Sequence, residues 1–120
     1  MIPFHFTTQA PKQQEDSCVI LPPNLESKTD LFAFLSHAIP LPGYFGHNWD
    51  ALDECLGDLS WLDHQKIVLL HQDFPLEKTP ADQRIYLQIL ADAARQADRI
   101  TIIFPEKYRS QITGILSVAE

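Results

Sequence analysis

Hydrophobic and polar positions divide the chain into segments of two kinds. Residues 18–21, 66–71 and 100–104 hold short apolar runs without alternation, and Pro22-Pro23 and Pro105 stop the first and the last. Runs of this length, rich in Ile, Val and Leu and closed by breakers, predict buried strands. The segments between them carry apolar residues at helical spacing. Ser27, with Asp30 three positions on, predicts a capped helix whose apolar side is Leu31, Phe32, Phe34, Leu35 and Ala38, ended by Pro40 and Pro42. Asn48 predicts the cap of a second helix, running to about Gly57. Thr79-Pro80, with Asp82 in the first turn, opens a long third helix with Ile85, Leu87, Ile89, Leu90, Ala93, Ala94 and Ala97 as its apolar set.

Unalternating strands that take turns with helices predict an α/β fold, a three-stranded parallel sheet flanked by helices with both sheet faces covered. No repeat, linker or low-complexity tract interrupts the pattern, so residues 1–120 are read as one domain. The two ends are open: extra strands or loose tails, with Ile112, Ile115, Leu116 and Val118 predicting that the C-terminal stretch packs somewhere. The apolar surface suffices for one core without staples, hydrophobic residues making up 45%. Cys18 and Cys55 are read as reduced, buried thiols, and no Cys/His set has zinc spacing. No cofactor and no metal are implied. No run is long enough to span a bilayer, and no basic cluster precedes an apolar run at the N-terminus, so a cytoplasmic protein with no membrane partner is expected.

Charge changes this picture. The net charge of −7 argues against nucleic acid as a partner. Its distribution says more: between Lys28 and Lys66 there is no Lys or Arg, while Asp30, Asp50, Asp53, Glu54, Asp58 and Asp63 all fall in that window. A one-signed patch selects and steers a cationic partner. At about 100° per residue, Asp50, Asp53, Glu54 and Asp58 fall on one side of the second helix and Leu52, Cys55, Leu56 and Leu59 on the other, with Trp49 and Ala51 flanking. Asp50–Glu54 and Glu54–Asp58 are like charges four apart, each costing the helix roughly 0.2–0.5 kcal/mol. Acids in the first turn are also favoured by the helix dipole, which accounts for Asp50 and Asp53 without any partner, but not for Glu54 or Asp58. Aromatic residues beside these charges, Tyr44 above all, are hot-spot chemistry, whereas Trp49 reads as core.

The run Leu41-Pro42-Gly43-Tyr44-Phe45-Gly46-His47-Asn48-Trp49-Asp50-Ala51-Leu52-Asp53-Glu54-Cys55-Leu56 resembles the loop-plus-helix motif of the barstar-like ribonuclease inhibitors. Leu87-Gln88-Ile89-Leu90, continuing through Asp92 to Ile100-Thr101-Ile102-Ile103, is similar to a second stretch of that family, and the resemblance spans about residues 17–104, leaving an extension at each end. It implies a barstar-like three-stranded parallel fold and no catalytic residue. Its activity would be inhibition of a basic ribonuclease, whose active site the acidic helix and preceding loop block. The resemblance places Tyr44, Asp50, Glu54 and Asp92 at the partner contact, with Asn48 at the helix start near that surface. Glu54 stands where a familiar relative has Asp, and Asp53 where it has an apolar aromatic. The expected partner is a basic ribonuclease or related toxin protein, met by a chain that is a monomer when unbound. Two rival readings use the same residues: an immunity or interaction protein for a different toxin, and a metal-dependent hydrolase built from His47, Asp50, Asp53, Glu54 and His64. The hydrolase lacks any HExxH, GxSxG or phosphate-cradling motif.

Overall fold

The computed structural model describes residues 2–8, 17–39, 48–58, 66–96 and 99–119. Four strands, β1 (His5–Thr7), β2 (Ser17–Leu21), β3 (Ile67–His71) and β4 (Ile100–Pro105), form one parallel sheet in the order β1-β4-β3-β2. The helices are α1 (Lys28–Ala38), α2 (Trp49–Gly57), α3 (Pro80–Gln96) and α4 (Arg109–Ala119), the last preceded by a 3-10 turn at Glu106–Tyr108. The three expected strands are present, and β1 adds a fourth at the edge, pairing His5 with Ile103 and Phe6 with Phe104. Its three residues are too few and too polar to announce a strand. It is held by tertiary contact instead, Phe4 packing on Phe104 with ring centroids 5.3 Å apart.

From β2 to β3 to β4 the chain always steps to the next strand in the same direction. Right-handed crossovers of that kind put their helices on one face of the sheet. Burial follows: Ile67, Leu69 and His71 on β3 and Ile100, Ile102 and Phe104 on β4 are buried. On the opposite face Leu70 is also buried, while Val68, Thr101 and Ile103 are half-buried. The strands are thus covered more fully on one face than on the other. Continuous apolar sequence reflects β-branched residues packing along the sheet as well as burial, and the two cannot be told apart by pattern alone.

The caps behave as local chemistry dictates. Ser27 Oγ accepts from the Asp30 amide at 3.1 Å, and α1 buries Leu31, Phe32 and Leu35. The first backbone bond of α3 runs from the Gln83 amide to the Thr79 carbonyl at 2.9 Å. On α3 one assignment changes: Ile85, placed in the apolar set by spacing, is 39% exposed, and Tyr86 is buried in its stead. The C-terminal stretch packs as anticipated, with Ile112 and Leu116 buried and Ile115 half-buried against the core. Ala97 and the Val118 side chain lie outside the described residues. Neither Cys18 nor Cys55 is in a disulfide; Cys55 is buried, and Cys18 only half so. No helix among the described residues is long and apolar enough to cross a membrane.

Candidate functional site

Helix α2 begins where Asn48 leaves extended backbone and its Oδ1 accepts from the Ala51 amide at 2.8 Å. Side-chain caps of this type stabilise a helix by about 1 kcal/mol. Leu52, Cys55 and Leu56 turn inward and are buried. Burial of each leucine contributes roughly 1.5–3 kcal/mol, which fixes the rotation of the helix about its axis. Asp50, Asp53, Glu54 and Asp58 are thereby turned outward, and all four are exposed. Leu59, Tyr44, His47 and His64 lie outside the described residues, as do all of residues 40–47.

Trp49 sets the position of α2 along that axis. Its ring meets Phe32 of α1 edge-on at 4.8 Å and lies 6.2 Å from Tyr86 of α3, and its Nε1 donates to Asp82 Oδ1 at 3.2 Å. One side chain therefore ties the start of α2 to both neighbouring helices. Behind Tyr86 is a buried polar pair. Tyr86 Oη is 2.7 Å from His71 Nε2, and His71 Nδ1 is 3.0 Å from the Ile103 carbonyl. A carbonyl only accepts, so Nδ1 carries the proton and Nε2 accepts from the tyrosine hydroxyl. Desolvation holds His71 down at about 4, opposed by its backbone hydrogen bonds, and pushes Tyr86 up. The imidazole also stacks on Phe104 at 4.0 Å. The buried His71–Tyr86 pair behind α2 is thus uncharged at neutral pH.

Between α2 and α3 runs a groove of about 350 Å³. Trp49, Asp50 and Asp53 form one wall, and Arg84, Ile85, Ile89 and Asp92 the other. The fold thus brings Asp92 together with Asp50 and Asp53 across 39 residues or more of sequence. Glu54 is exposed on α2 but does not line the groove. Asn48 serves the backbone through its cap. Asp92 accepts from Gln88 Nε2 at 3.2 Å and lies 4.0 Å from the Arg95 guanidinium, a long contact between two partly exposed side chains. Exposed pairs of that kind are worth little. Among the described residues, no ion pair involves Asp50, Asp53 or Glu54. From sequence, Arg84 is not singled out, and Ile85 is assigned to the apolar core side of α3. A helical wheel holds the signal, since residues seven apart differ by about 20°, which sets Ile85 beside Asp92 on the polar side of α3.

A family model described as Barstar (barnase inhibitor) matches residues 17–108. The chain belongs to the barstar family. The match starts at β2 and ends with the 3-10 turn, so it takes in the sheet from β2 to β4, α1, α2 and α3, and leaves β1 and α4 outside. Asn48, Asp50, Asp53, Glu54 and Asp92 all fall inside the part shared with the barstar family. No curated protein matches the chain. Among the described residues, no three His, Cys, Asp or Glu side chains are grouped to hold a metal ion.

Proposed function

We propose that this chain inhibits a basic ribonuclease, as its family's description suggests, by laying the outer face of α2 and the neighbouring acid of α3 into the enzyme's active site. The observation that carries this reading is the row of exposed carboxylates, Asp50, Asp53 and Glu54, that no cation of the described chain neutralises. Ribonucleases gather cationic groups to bind phosphate and to stabilise the charge that develops on it. Carboxylates held on a rigid helix can occupy the same subsite while offering no bond to cleave. Arginine–carboxylate pairs are short and directional, which suits a plug of this kind.

In this reading Glu54 takes the phosphate position, and Asp50 and Asp92 pair with flanking cations. Asp53 adds charge at the same edge, Asn48 holds the helix start, and Tyr44 packs on the rim. The chain performs no catalysis of its own. It acts in the cytoplasm as one barstar-like domain over residues 1–120, monomeric until the nuclease binds. The test is inhibition of barnase, with other basic ribonucleases alongside, at two salt concentrations. Inhibition whose association rate falls as salt rises is expected, because exposed charges are screened within about 10 Å at 0.1 M salt. Full ribonuclease activity throughout the set, with the chain in excess, would overturn the proposal.

A further inference from the structure

The α2 wall of the groove is acidic, but the α3 wall is of a different character. Ile85 is the one large hydrophobic side chain exposed among the described residues, and it lies in this groove beside Ile89 and close to Asp92. Arg84, its neighbour, is exposed in the same groove and is in no ion pair among the described residues, although Asp50, Asp53 and Asp92 line the groove with it. An apolar group rimmed by charge is the usual makeup of an interface anchor. A guanidinium covered by a partner without an answering anion is strongly unfavourable, and it repels any cation set against it.

We propose that the α3 wall chooses among basic nucleases: the accepted partner seats an apolar side chain on Ile85 and places one of its own carboxylates against Arg84, next to the cations that meet α2. This rests on the inhibitor reading above. It adds that the partner's docking surface is not uniformly basic. A nuclease with only Lys and Arg over the groove would match Asp50 and Asp53 but leave its cations facing Arg84 and Ile85 uncovered. The argument is one of charge complementarity and of continuity, since the two walls belong to one groove and a protein covering α2 covers both.

The probe is barnase, bound to the full chain and to three variants, Ile85→Ala, Arg84→Glu and Asp50→Ala, with dissociation constants measured at low and high salt. Ile85 and Arg84 are exposed, so their variants keep the fold, which thermal melting verifies. We expect Ile85→Ala to raise Kd about tenfold or more at both salt concentrations, as loss of an apolar contact should. Arg84→Glu should raise it by a similar factor at low salt and by less at high salt. If Asp50→Ala weakens binding while Ile85→Ala and Arg84→Glu bind as well as the unaltered chain or better, the inference about α3 is overturned and the inhibitor reading stands. If the unaltered chain does not bind barnase at all, the reading of barnase as target and this inference fall together.

Discussion

The polar groups of α2 and those around the carboxyl ends of β3 and β4 are treated in contrary ways. Around the carboxyl ends of β3 and β4 several have partners. His71 is held between Tyr86 and the Ile103 carbonyl, and Tyr108 donates to Asp73, a bond that with burial pushes the phenol up to about 12. Glu106 and Arg109 form a two-pronged pair at 2.8 and 2.9 Å, which lowers the carboxyl below its ordinary range. On α2 the same chain sets Asp50, Glu54 and Asp58 four apart with no lysine between them. Pairing is thus readily achieved around His71, whereas among the described residues no ion pair involves Asp50, Asp53 or Glu54. The like-charge spacing costs helix stability, and the inhibitor reading assigns its use to a second molecule.

If that contrast holds, changes on α2 alter binding and leave the fold intact, and changes at the His71 end do the reverse. The largest effect should come from Asp50→Ala combined with Glu54→Ala. Each substitution should weaken nuclease binding by about 2–5 kcal/mol, the general cost of truncating one partner of a buried, hydrogen-bonded charge pair. Inhibition constants for the double variant check it, and near-normal inhibition would remove α2 from the interface.

Next in size is the response of stability to acid. His71 lies at about 4 in the folded chain against 6.5 when unfolded, so between those values the unfolded chain binds the extra proton. Its contribution is whole above pH 6.5 and is lost as pH falls toward 4, by about 3 kcal/mol. Denaturant titrations across that window should show the loss, and His71→Phe should flatten it; parallel curves for the two proteins would refute the assignment. Tyr86→Phe removes the hydroxyl that donates to His71 Nε2. A buried acceptor left unpaired costs about 1–3 kcal/mol, and inhibition by the folded fraction should be unchanged. The smallest effect sharpens the contrast from the other side. Glu54→Gln relieves both like-charge pairs at roughly 0.2–0.5 kcal/mol each, so the chain should melt slightly higher while inhibiting less. A variant that melts lower would mean that Glu54 supports the fold after all.

What the sequence by itself determined was everything governed by neighbours along the chain. The caps at Ser27 and Asn48, the inward set Leu52, Cys55 and Leu56, and the outward acids of α2 follow from helical periodicity and short-range hydrogen bonding. The motif around Asn48–Leu56 pointed to the family for the same reason, being one continuous stretch. Only the tertiary structure decided what depends on residues far apart. It set Asp92 across a groove from Asp50 and Asp53, left Ile85 exposed while burying Tyr86, and added β1 to the edge of β4. It also gave His71 a buried partner that no spacing announces. Which side of a helix faces the core depends on where the next helix is placed. That placement is fixed by Trp49 lodging between Phe32 and Tyr86, a contact among three helices.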